Sequence, residues 1–374
     1  MPTWPPTVRK AGAPLAVLIG LSVIVGLLMI LLTATNPLGT TIGFVLSSVA
    51  ITVVVLCYLW LDRWEPEPPR LLILAFLWGA SIAIILSLAL ELWADAVLLP
   101  TPGLPAGIES TALRAPLIEE AAKGLFLLIM MTGQRRHELN SLTDCLVYAG
   151  LVGAGFAWFE DVLYIANGEN LAASLVTAAL RLVMAPFAHS LFLSMLAVGV
   201  YFAVKQRHLL GKVICIVAGY LGAVTMHALW NGSSVIGIEA YFLVYLLWMV
   251  PVFVLAIWLA VRSRRREQQV VAAKLPSMVA ANLVTANEAS WLGSIHGRKL
   301  AIGEARRHGG KKAGKRVKAF ATQVVELAFV RDRIDRGFGD DRVHALLHEE
   351  SYRVRAAREV AAPSLQYLAG YRVP

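Results

Sequence analysis

The sequence predicts an all-α, polytopic membrane helix bundle with about eight transmembrane helices, followed by a basic, partly helical tail. Three observations predict it. The 374-residue chain is 57% hydrophobic and only 16% charged, with a mean hydropathy of +0.65, which excludes the balance of a soluble protein. Apolar runs of roughly 20 residues, enough to cross a hydrocarbon core of about 30 Å, recur along the first 260 or so positions. Lys and Arg concentrate in every second connection between those runs.

The runs lie at about 13–33, 41–61, 71–92, 114–132, 143–166, 183–204, 212–231 and 241–261. The first follows Arg9 and Lys10; it is longer than a signal-peptide core and lacks a small-residue cleavage pattern, so it is expected to stay as an anchor. The second ends before Arg63, and the third starts after Arg70. The fourth and fifth flank Arg135 and Arg136. The sixth is the awkward one, because the apolar stretch 171–204 would be about 50 Å long as a single helix. Residues 171–181 are therefore expected along the membrane interface with Arg181 snorkelling, the span itself starting near Val183 and bending at Pro186. Lys205, Arg207 and Lys212 separate the sixth and seventh runs, and the eighth stops at Arg262, Arg264, Arg265 and Arg266. With Arg114 as the main exception, this alternation predicts a multi-pass cell-membrane protein with both termini in the cytoplasm.

Residues 1–262 are thus expected to form the membrane domain and 263–374 a basic cytoplasmic tail. Its stretch RRHGGKKAGKR, residues 306–316, suits anionic lipid headgroups, or simply water; nucleic acid is not expected as a partner. Apolar positions at helical spacing in 317–335 and 341–360 predict short amphipathic helices there. Cys57, Cys145 and Cys215 fall in separate apolar segments, which argues against a disulfide framework and a cysteine metal site.

A charge at the centre of a membrane helix costs about 2.5–3.5 kcal/mol on insertion scales, so intramembrane ionisable residues point to function. The fourth run carries Glu119, Glu120 and Lys123, the fifth Glu160 and Asp161, the sixth His189, and the seventh His227 and Asn231. In the expected topology these groups share one depth toward the outer leaflet. Glu119 and Lys123, and His227 and Asn231, are i,i+4 pairs, while Phe156, Glu160 and Tyr164 form one helical stripe. Two carboxylates beside histidines and an amide can hydrolyse an acyl bond. One carboxylate takes a proton from attacking water, and Asn231 or a histidine stabilises the oxyanion. The plainer alternatives are an ion-pair cluster that packs the bundle, Glu160 as a partner of Lys123 or Arg181, and Asn231 as a helix cap near Gly232.

These motifs resemble the PrsW family of intramembrane proteases: Glu119-Glu120-x-x-Lys123, Phe156-x-x-x-Glu160-x-x-x-Tyr164, His189, and His227-x-x-x-Asn231. The stretch LDRWEPEPPRLLILAFLWGA, residues 61–80, is also similar, and the resemblance covers about residues 58–235. It departs at Asp161, where many relatives carry an amide such as Asn. The resemblance implies a glutamate-type protease related to CAAX-processing prenyl endopeptidases, cutting a membrane-anchored protein such as an anti-sigma factor near the outer leaflet. It implies Glu119 and Glu120 in water activation, Glu160 in place of a histidine used by those relatives, and His189, His227 and Asn231 completing the site. Lys123, Phe156 and Tyr164 support it. No cofactor is implied by this reading. The alternative is a zinc site of Glu160, His189 and His227, with Glu119 or Glu120 as base. A transporter or sensor built on the same charges is the reading from another class; it would place them near the midplane, often in repeated halves.

Overall fold

The computed structural model describes residues 12–63, 67–98, 107–139, 141–337, 339 and 341–371. Arg9 and Lys10, used above for orientation, lie outside the described residues, as do residues 64–66 of the early motif. All regular elements among the described residues are helical. Among the described residues the chain divides into two compact units, one within 12–62 and 67–260, the other within 261–371.

In the larger unit the helices are α1 (Leu15–Thr35), α2 (Pro37–Leu61), α3 (Pro69–Val97), α4 (Ala115–Met130), α5 (Leu142–Ala166), α6 (Leu171–Ala178), α7 (Ala188–Lys205), α8 (Leu209–Ile236) and the start of α9 (Ile238–Ala280). Seven helical stretches are long and apolar enough to cross a membrane, one being the interrupted run Leu171–Lys205. The expected fourth span, α4, is not among them. Its 16 residues reach only about 24 Å, and it enters through a wide π-type turn, Ile108–Arg114. Other helices enclose it: Glu119, Glu120, Lys123, Phe126, Leu127 and Met130 are all buried.

The sixth run breaks where proline dictates. Leu171–Ala178 continues through a wide turn, Ala179–Met184, and then Ala185 leaves helical geometry at φ −129°, ψ 39°. A residue before proline is pushed out of the α region, and Pro186 has no amide to donate. The membrane helix therefore starts at Ala188, five residues later than the expected start near Val183. This puts His189 in its first turn.

At the centre stands α5. Ser141 and Asp144 form its capping box, and 19 of its residues are buried. It packs against α2, α3 and α7. Small residues allow the close approach: a Cβ on Gly155 would overlap the Phe76 carbonyl oxygen, one on Gly153 would lie 2.6 Å from the Ser190 backbone, and one on Gly79 of α3 would strike Val152. Asn36 caps α2 through Gly39 and also donates to the Ala166 carbonyl at 2.6 Å, fixing the end of α5. In the early motif, Glu67 is buried and accepts from the Tyr148 hydroxyl at 2.7 Å.

The C-terminal unit has its own apolar core. Its further helices are α10 (Ala286–Leu292), α11 (Ile295–Asp335) and α12 (Asp341–Leu365). Trp291, Val317, Phe320, Val324, Leu327 and Val354 pack together fully buried. The expected amphipathic segments fall in α11 and α12, but residues 286–309 also join this core, through Ala301 and Ala305 among others. Gly310, at φ 73° and ψ −175°, breaks α11 inside the basic stretch, a left-handed position that suits glycine.

Candidate active site

Hydrogen bonds to backbone fix the helices that carry the polar residues. Trp78 Nε1 donates to the Ala122 carbonyl at 3.1 Å and the Tyr220 hydroxyl to Leu117 at 2.7 Å, which seats α4 between α3 and α8. Ser190 Oγ donates to the Gly150 carbonyl at 2.8 Å, holding α7 against α5.

The four helices then bring their polar groups to one place. Lys123 is fully buried; its Nζ lies 2.6 Å from Glu120 Oε1, 3.4 Å from Glu119 Oε2 and 3.1 Å from His189 Nδ1, and sits 4.2 Å from the Phe156 ring centre. His227 Nδ1 is 2.9 Å from Glu120 Oε1, and its Nε2 is 3.9 Å from Glu119 Oε2. His189 Nε2 is 2.7 Å from Glu160 Oε2. The two imidazoles meet edge to face at 5.3 Å, and Phe192 stacks on His227 at 4.7 Å. Lys123 can only donate, so His189 Nδ1 accepts from it and Nε2–H donates to Glu160. Equally, Glu120 accepts from His227 Nδ1–H, which turns the Nε2 lone pair of His227 toward Glu119.

Glu160 and the neighbouring Asp161 share Arg181, from the turn before the Pro186 break. Arg181 Nη2 pairs with Glu160 Oε2, its Nε lies 2.6 Å from Asp161 Oδ1, and its guanidinium rests 4.4 Å from the Tyr164 ring centre. The plain reading of Glu160 as an Arg181 partner is thus met, and Glu160 holds His189 at the same time.

Glu119, His189 and His227 each offer a ligand atom, all within 4.8 Å of one another, and all three residues are buried. Two imidazoles and one carboxylate make a catalytic zinc donor set. The contact of Glu120 with His227 Nδ1 is the outer-shell carboxylate that a metal-binding histidine commonly has, and Glu120 Oε2 is itself buried without a partner. The residues present fit a metal ion provided Lys123 releases His189 Nδ1, the ring nitrogen of His189 that does not donate to Glu160. The carboxylate in the set is Glu119, not Glu160 as the zinc alternative supposed, because Glu160 lies behind His189 in the grip of Arg181.

A cavity of about 290 Å³ opens beside this cluster and is lined by Glu119, Glu160, Phe156, Tyr164 and Asn231, among others. Glu120 and Lys123 are not among its lining residues. Asn231 does not cap its helix near Gly232: α8 runs on to Ile236, and the Asn231 amide donates to the Thr111 carbonyl at 3.2 Å. Sequence reasoning gave no site role to Ser87, Glu91 or Thr111, yet all three line the cavity. The signal available was the i,i+4 spacing of Ser87 and Glu91, two polar positions on one face of an apolar helix.

A family model for the PrsW family intramembrane metalloproteases matches residues 67–256, half of the chain, from α3 into α9. No curated protein and no solved structure matches it. The matched region contains every residue of the cluster, on a multi-pass helical scaffold. The chain belongs to the PrsW family of intramembrane proteases, and is a peptidase of the membrane.

Proposed function

We propose that the chain hydrolyses a peptide bond of a membrane-anchored protein in the cavity beside Glu119, Glu160 and Asn231, with Glu119, His189 and His227 holding a metal ion of the zinc type. The observation that carries this reading is the convergence of those three donors within 4.8 Å of one another, with Glu119 also lining the cavity. When bound, such an ion supplies Lewis-acid activation. Around it, Glu120 orients His227, while Glu160 and Arg181 orient His189. Of the other two carboxylates on the cavity, Glu91 and Glu160, Glu160 is the one held against His189, so it takes the proton as water attacks the scissile carbonyl carbon. The Asn231 carboxamide, turned by Thr111, donates to the developing oxyanion. The C–N bond then breaks as Glu160 returns its proton to the departing amine, leaving a carboxylate and an amine.

A second, metal-free reading is favoured by Lys123, whose ammonium already touches Glu119, Glu120 and His189. There Glu119, which lines the cavity, takes the proton, and Glu120, which does not, positions His227. Metal content of the purified protein, measured beside cleavage of single-span substrates with and without chelator, separates the two. Bound zinc that is lost in Glu119→Ala and His227→Ala supports the first reading. Metal-free protein with Glu119-dependent cleavage supports the second. Undiminished cleavage in Glu119→Ala, Glu120→Ala and His227→Ala would remove the site assignment altogether.

Residues 1–262 are proposed as the protease domain and 263–374 as an appended cytoplasmic region; protein ending at residue 262 should still cleave. The alternating basic connections support a cell-membrane protein with cytoplasmic termini. A cysteine at position 167 should then react with external reagent and one at 134 should not; external reactivity at 134 contradicts this topology. The substrate reading extends, by resemblance alone, to a membrane-bound anti-sigma factor, which co-expression with candidate anti-sigma factors tests.

A further inference from the structure

Part of the cavity lining belongs to α3 and to the turn before α4. Ser87 is 3% exposed and its hydroxyl lines the cavity without a hydrogen-bond partner. One turn along, Glu91 also lines the cavity, and its Oε1 is buried without a partner. Glu91 is half-buried, but an oxygen shut off from water is stabilised by a cation or donors, so these two atoms together suit a donor-rich group.

The sign of that group follows from the surrounding charges. Glu119 and Glu120 have Lys123, Glu160 and Asp161 have Arg181, and Asp95 has Arg114 at 2.9 Å. Among the described residues Glu91 makes no ion pair, and no Lys or Arg lines the cavity, where Glu91, Glu119 and Glu160 all present carboxylates. Residues 99–106, which connect α3 to the turn, contain no charged side chain. A divalent ion at the histidines would answer the charge of Glu119, yet Glu91, which is not in that donor set, would stay unmatched. Negative charge on low-dielectric walls selects a positive occupant. In a peptide substrate that occupant is a basic side chain, whose donors match the Glu91 carboxylate and the Ser87 oxygen.

We infer that the cavity holds a Lys or Arg side chain of the substrate against Glu91 and Ser87, directing cleavage to membrane-anchored segments with a basic residue near the scissile bond. The inference rests on the peptidase reading above. It is tested with fluorescent single-span peptides that carry Arg or Leu at successive positions of the segment entering the cavity. Binding to the full chain in detergent micelles is read separately from cleavage. At one position the Arg peptide should bind at least tenfold tighter than the Leu peptide, and Glu91→Gln should remove that preference. With Glu91→Lys the preference should reverse toward a Glu peptide. Equal binding of Arg and Leu peptides at every position overturns the inference, and Glu119-dependent cleavage in the same samples would show the peptidase reading still standing. An Arg preference that depends on Glu91, in the absence of any cleavage, would retain the basic-group site and overturn the peptidase reading.

Discussion

The two units of this protein are built inside out with respect to each other. In the membrane unit the outward faces are apolar, as at Leu31, Leu38, Val49, Leu56 and Leu247, and the interior holds Glu119, Glu120, Lys123 and His227. In the C-terminal unit the interior is Trp291, Phe320, Val324 and Leu327, and Arg306, Arg307, Lys311 and Lys312 are exposed. Residues 261–374 carry 22 Lys and Arg against 11 Asp and Glu, whereas residues 1–260 carry 12 against 14. Each pattern matches one solvent. In lipid, apolar surface gains little by hiding, so helices associate through close packing and polar contacts, whereas in water burial of apolar area is the dominant drive.

The contrast breaks most visibly at the buried cation. Lys123→Met leaves Glu119 and Glu120 without their partner, and such a loss costs about 3–5 kcal/mol in a buried pair. Cleavage should fall to background and the melting temperature in detergent should drop. In the C-terminal unit the equivalent blow is apolar: Trp291→Ala should cost about 3–5 kcal/mol and speed hydrogen exchange through 286–330. Next comes the helix seam, where Gly155→Ala forces α3 from α5 and should cost about 1–3 kcal/mol in thermal unfolding. The smallest effects belong to exposed charge. Replacing Lys311, Lys312 and Lys315 with Gln should weaken sedimentation with anionic vesicles by about 1 kcal/mol per residue, if the basic stretch meets a lipid surface. Arg307→Gln, which loses one exposed contact with Glu304, should change stability by less than about 1 kcal/mol.

What the sequence made legible follows the same division. Membrane spans declare themselves by length and hydropathy, and charges inside them stand out because they are costly. Glu119, Glu120, Lys123, Glu160, His189 and His227 were all found that way, and the structure brings them together. Less visible were contributions that carry no such contrast. Arg181 reads as an interfacial residue until its contacts with Glu160 and Asp161 are seen. The α5 glycines read as ordinary membrane composition. In α11, Ala301 and Ala305 face the core among charged residues, and alanine is too weakly apolar to mark a periodic stripe. The break at Pro186 was legible in position, but its effect on Ala185 moved the helix start to Ala188.

The glycine seam has a genetic consequence. Any single-base change that replaces Gly153 or Gly155 adds at least a Cβ, and at both positions the space is taken by another helix's backbone. A mutational library should therefore leave these two positions nearly fixed, though neither touches the cavity, while the lipid-facing Leu31 and Leu38 drift freely among apolar residues.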